Sequence, residues 1–235
     1  MRNSTKNPMT SKSPRNIGER ATELYDGAQS RPNKASNSRA RVSSASKLTP
    51  KALAIHEAGH AVAAIEGEEA CGFHGDPIEL SHVTIAEKGN AAGFCKVHVP
   101  YMTRDTTKWR LIIALSGPEA QTQIARRKFG IECWDDVKSA EEILGEFEEW
   151  HFEKGMNKYF NFDLEVELAR HREFAKLFVR RHREVIKALA EVLLIKKTLR
   201  ASEVRKTVKP LLKREMSKRD LRDWQKAECM GTGAL

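Results

Sequence analysis

The pentapeptide His56-Glu57-Ala58-Gly59-His60 constrains this chain more than any other stretch. Histidines four residues apart on a helix project from one face, one turn apart, so both imidazoles can reach a single zinc ion. Glu57 lies beside the same edge, where a carboxylate can take the proton of an attacking water. The motif is short. With 8 His and 24 Glu in 235 residues, random placement produces it in roughly 3% of such chains, so its setting has to decide. That setting is favourable. Thr49-Pro50 reads as an N-cap followed by proline at the first helical position, and the next proline is Pro77. Ile55, Ala58, Val62 and Ile65 form an apolar stripe, with His56, Glu57 and His60 on a neighbouring edge. The helix is expected to bury one side and offer the other to a cleft. Gly59 costs about 1 kcal/mol relative to Ala in a helix interior, which a close approach by another element would explain.

The length suits one domain with extensions, or two small domains. Hydrophobic residues make up 40% and charged residues 31%, enough for a core and too polar for a membrane protein. No apolar run reaches the roughly 18 residues of a membrane span, and the N-terminus has no apolar signal core. No membrane partner and a cytoplasmic setting are therefore expected. Cys71, Cys95, Cys133 and Cys229 are scattered without a C-x-x-C pair, so neither a disulfide framework nor a structural zinc site is expected. The net charge of +9 sits at the ends. Residues 1–48 carry 10 Lys/Arg against 3 Asp/Glu, residues 209–235 carry 7 against 4, and the middle carries 24 against 25. The basic character is not a property of the middle, which is expected to hold the enzyme, and nucleic acid is not the expected partner.

Along the chain, residues 1–48 read as a disordered basic tail. Residues 50–66 form the motif helix, and Glu66 to Asp76, with three glycines, reads as a loop. Pro77 to Ala86 and Gly93 to Pro100 read as two strands around a turn at 87–90, an antiparallel hairpin whose edge could take an extended peptide. Thr103 to Arg127 reads as a long helix that Gly117-Pro118 interrupts. Further helices are expected over 135–150, over 162–196 in one or two pieces, and over 199–208, where Pro210 stops the last. Residues 209–235 read as a basic, frayed C-terminal extension.

A catalytic zinc takes three protein ligands and keeps one open position. The extended H-E-x-x-H-x-x-G-x-x-H pattern is excluded, because Ala63 and Glu66 stand where it needs glycine and histidine. A helical Glu about 20 residues downstream is also excluded, because Glu79 falls in an expected strand. An acid from a more distant helix remains.

His-Glu-Ala-Gly-His-Ala61 resembles the zinc-site helix of FtsH-type peptidases, the proteolytic domain of membrane-bound AAA proteases. Four further stretches follow in that family's order: 76–85 as the first strand, 89–100 as the turn and second strand, 113–121 as the helix the family writes Gly-Gly-Arg-Ala-Ala-Glu, and 182–199 as the terminal helix pair. Pro118 stands where the family pattern has Arg. The resemblance covers about residues 49–208. It implies a mainly α, zincin-like peptidase domain with a small β-hairpin or sheet beside the metal-site helix. It implies Zn2+ held by His56, His60 and an Asp that begins a later helix, with Glu57 as the catalytic base. Trp134-Asp-Asp-Val-Lys-Ser-Ala140 occupies that position. Asp136 matches the ligand and Asp135 the neighbouring Asn position, and either acid is also an ordinary occupant of a helix N-terminus. Trp134 replaces a small polar residue of the family.

The resemblance further implies a zinc metalloendopeptidase acting on protein or peptide substrates. The sequence has no G-x-x-x-x-G-K-[ST] phosphate loop, so unfolded or flexible substrates, or a separate AAA ATPase as partner, are expected. The rival expectation is a catalytically inactive metal-binding or regulatory module of the same fold. The sequence carries no expectation for oligomeric state.

Overall fold

The computed structural model describes residues 48–72, 78–86, 93–99, 102–128, 130, 133–155 and 163–212. The basic N-terminal tail, His74, Asp76, Pro77, the 87–90 turn and residues 213–235 lie outside them. The described chain is mainly helical, with a small antiparallel sheet beside the helices. The order is α1 (Pro50–Gly72), β1 (Glu79–Thr84), β2 (Phe94–His98), α2 (Arg104–Gln123), α3 (Trp134–Glu153), α4 (Leu164–Arg181), α5 (Arg183–Lys196), β3 (Thr198–Arg200) and α6 (Ala201–Leu212). No described helix is long and apolar enough to cross a membrane.

Helix α1 starts where its cap predicts: the Ala52 N–H donates to Thr49 Oγ1 at 3.3 Å. The apolar stripe is buried as expected. The other side is buried too, with His56, Glu57 and His60 all under a tenth exposed. α1 is thus a central helix, wrapped by α2, α5 and the sheet, and its polar edge meets the cleft only at atoms. Gly59 earns its place here. A Cβ on it would stand 2.6 Å from the Ser116 carbonyl oxygen and 2.9 Å from Ala120 Cβ, so α1 and α2 cross almost backbone to backbone.

The expected loop from Glu66 is instead two more turns of α1. Packing overrides the glycine signal: a Cβ on Gly67 would lie 3.3 Å from Ile78 and 3.4 Å from the Trp109 ring. Glu68 is held by a bidentate pair with Arg205 of α6, at 2.9 and 2.7 Å, and accepts from the Leu80 N–H. The expected break at Gly117-Pro118 is also absent. α2 opens on a capping box between Thr103 and Thr106 and runs through Pro118 to Gln123. Proline removes one hydrogen bond from a helix interior, and burial of α2 against α1 on one side and α3 and α4 on the other holds it continuous. Leu111, Leu115, Ala140, Ile143, Leu144 and Ala175 form the core on that second side.

Strand β1 is central, in the order β2-β1-β3 with both pairings antiparallel. The hairpin was expected. Strand β3 was not, because three residues cannot show alternation. It pairs Leu199 with Val83, and Thr198 Oγ1 lies 2.7 Å from Thr84 Oγ1. The last helix therefore starts at Ala201, two residues late, and passes Pro210 to end at Leu212. The stretch 162–196 does fall into two helices, split at His182, whose backbone leaves helical geometry at ψ 17°.

Candidate metal centre

Two helices bring the chemistry together. α1 supplies His56 and His60, and α3 supplies Asp136 from its first turn. His56 Nε2 lies 3.0 Å from His60 Nε2. Asp136 Oδ2 lies 3.1 Å from the first nitrogen, and Oδ1 3.4 Å from the second. These three residues form a group able to hold a metal ion. Asp135, the alternative weighed from sequence, lines the same cleft but offers no atom to the group.

The far side of each imidazole fixes which nitrogen faces inward. His60 Nδ1 is 2.6 Å from the Ile113 carbonyl oxygen, which can only accept, so Nδ1 carries the hydrogen. His56 Nδ1 is 3.1 Å from Gln121 Oε1, as its amide is assigned, and takes the same role. Both Nε2 lone pairs and the Asp136 carboxylate then converge on one point. Ligands held tetrahedrally at about 2.0–2.1 Å from zinc stand about 3.3 Å from one another, which the observed triangle matches. Three converging lone-pair atoms repel unless a cation lies among them. The electrostatics repeat this demand. Burial alone would keep His60 neutral, but the Asp136 carboxylate, with Glu57 behind it, raises its pKa to about 9. Asp136 is itself partly desolvated, yet His60 and His56 hold it well below the usual carboxylate range. The site takes a proton if no metal is offered. Acceptors on the outer nitrogen orient imidazoles in metal sites generally, so the residues fit the group that the sequence implied.

Glu57 sits one residue from His56 and lines the same cleft. Glu57 is 5% exposed, and its Oε2 has no hydrogen-bond partner among the described residues. Burial raises its pKa, the two imidazoles oppose the rise, and Asp136 adds to it. The carboxylate is thus held with one oxygen uncommitted and a strengthened affinity for a proton. A Cβ at Gly93 would come within 3.0 Å of Glu57 Oε1 and of the Thr84 carbonyl oxygen, so glycine there leaves the carboxylate room.

Three contributors were not read from sequence. Gln121 orients His56, and the Cys133 thiol just before α3 also donates to its Oε1, at 3.7 Å. Ile113 orients His60 through a backbone atom, which no side-chain pattern can signal. Gly117 is the third. A Cβ on it would fall 2.2 Å from His60 Nε2, so the residue read as a helix interruption is a vacancy cut for an imidazole. The cleft has a volume of about 560 Å³. Strand β2 forms one wall through Gly93 to Val99, and α2 and α3 form the other. Among the described residues, Cys71, Cys95 and Cys133 form no disulfide.

No protein-family model matches the sequence, and no curated protein matches it.

Proposed function

We propose that this chain is a zinc-dependent endopeptidase of the FtsH type that hydrolyses peptide bonds in unfolded or flexible proteins. The observation that carries the reading is a coincidence of two groups in one turn of α1. Two imidazole lone pairs converge with a carboxylate from another helix, and beside them lies a buried acid with an uncommitted oxygen. His56, His60 and Asp136 would hold the ion, which when bound supplies a Lewis acid for the scissile carbonyl and a lowered pKa for water.

The remaining work belongs to the chain's own side chains. Glu57 accepts the proton of the attacking water and returns it to the leaving amine, a task its raised proton affinity suits. Gln121 and Ile113 hold the Nδ1 hydrogens and so aim both Nε2 atoms inward. β2 offers backbone groups along the cleft, to which an extended substrate can add as a strand. An extended backbone is a property of unfolded or flexible segments, which supports that substrate class. Described cysteines outside any disulfide are compatible with a reducing, cytoplasmic setting. A separate AAA ATPase as partner rests on the family resemblance alone.

The test joins metal analysis to turnover. The purified chain is expected to hold about one zinc and to cleave unfolded casein in a chelator-sensitive way. A chain that binds no metal sinks the reading. A chain that binds zinc and cleaves neither casein nor peptides is a metal-binding module instead.

A further inference from the structure

The cleft differs in charge along its length. α2 runs antiparallel to both α1 and α3, as the contacts show: Gln121 meets Cys133 before α3, while Arg110 meets Glu146 far along it. The end near the start of α3 carries Asp135. The other end carries Arg110, the single Lys or Arg among the described residues lining the cleft, whose lining also includes Val99, Ile113 and Ile143. Its partner Glu146 lies ten residues after Asp136, about 15 Å along a helix, which equals roughly four residues of extended peptide.

Arg110 is only partly committed. Its one ion pair among the described residues runs from Nη1 to Glu146 Oε2 at 2.8 Å, with Glu146 half-exposed. A pair that open to solvent contributes little to stability. It does hold the guanidinium in place while Nε and Nη2 keep their hydrogens for another acceptor. A guanidinium fork matches a carboxylate in bidentate geometry, and apolar residues among the cleft lining reduce competition from water.

We propose that Arg110 is a specificity residue that binds a carboxylate of the peptide substrate about three or four residues from the bond cut. This rests on the peptidase reading. The carboxylate belongs either to an acidic side chain or to the substrate's C-terminus, and the test separates the two. Peptides of one parent sequence carry Glu or Gln at each of four positions on either side of the cleavage point, with the C-terminus free or amidated. The zinc-loaded full chain is expected to favour Glu over Gln by roughly tenfold in kcat/KM at one position only. If the terminus is the ligand, the same preference appears for the free over the amidated end instead. Arg110→Gln brings that ratio to about one, and Arg110→Lys retains part of it.

A second readout needs no cleavage. Zinc-loaded chain carrying Glu57→Gln should bind the same fluorescent peptides with the same discrimination. Equal handling of acidic and neutral peptides by the parent chain at every position and at both ends overturns the proposal, as does discrimination that survives Arg110→Gln. Cleavage without discrimination sinks this subsite and leaves the peptidase reading standing. Arg110-dependent binding without any cleavage does the reverse.

Discussion

In α1, Glu57 and His60 are buried together; in α4, Glu167 and His171 are buried together. Both glutamates have an oxygen without a hydrogen-bond partner, and burial raises the pKa of both. Both histidines donate from Nδ1 to a backbone carbonyl, of Ile113 and of Glu167 respectively. Yet the imidazoles part company. Burial drives His171 down to about 4, with Arg170 and Lys108 adding to the fall against the Glu167 carbonyl. His60 feels the same burial and ends at about 9. The difference is a carboxylate delivered by another helix. Asp136 faces His60 and a second imidazole, whereas Glu167 has its own cation in Arg170 at 2.7 Å. Residue types and helical spacing do not make a metal centre. Convergence from a second element makes a group able to hold an ion, and among the described residues only the α1 cluster achieves it.

The largest expected effect separates the two glutamates. Glu57→Gln should lower casein cleavage by about 10²–10⁴-fold while zinc content stays near the parent value. Glu167→Gln should leave cleavage within about twofold. Comparable losses from both would mean that the α4 pair also serves the chemistry, and the contrast drawn above would collapse.

The two histidines should pull stability in opposite directions with pH. In chelator-treated protein, His60 has a raised pKa, so its contribution is complete below about 6.5 and is lost as pH rises through about 9. His171 has a lowered pKa, so its contribution is present above about 6.5 and is lost as pH falls through about 4. That second loss is on the order of 3 kcal/mol. Denaturant titrations from pH 4 to 9.5 should therefore show a maximum near the middle. Zinc should flatten the alkaline limb, and His171→Asn the acid limb. A profile without limbs would break the comparison.

Two glycines sharpen it at smaller scale. Gly117→Ala drives a methyl into the His60 ring, with an expected cost of about 1–3 kcal/mol from overpacking and a 10–100-fold loss of zinc affinity. Gly145→Ala in α3 meets open space. It should stabilise by about 0.5–1 kcal/mol and leave zinc affinity alone. Calorimetry and competitive zinc titration read both. Tight zinc binding by the Gly117 variant would show that the site relaxes around the methyl.

Much of the site was legible because it is local. Thr49, Pro50 and the Ile55 to Ile65 stripe define α1 from sequence alone, and the two histidines share a turn by arithmetic. Asp136 is different: it lies 76 positions after His60, and only the ordered family resemblance pointed to it over Asp135. Elsewhere tertiary contacts overrode local signals. Gly67 and Gly72 read as loop but lie in a helix fastened by Arg205 and packed against Trp109. Gly117-Pro118 read as a break because the sequence does not show that an imidazole needs the space. Strand β3 has no pattern of its own and exists because β1 presents an edge to it. Arg110 carries no pattern in the sequence, and its ion pair with Glu146 exists only once α3 is placed beside α2.

Strand β1 has partners on both sides, so the sheet has two outer edges of unequal worth. That of β3 is three residues long, too short to template much pairing. That of β2 belongs to the cleft wall. Self-association through strands would therefore favour one edge: two copies meeting along β2 would stop each other's clefts and leave only the short β3 edges outward. Such a pair would be a dormant form that grows no further, opened by dilution or by any peptide that competes for the strand.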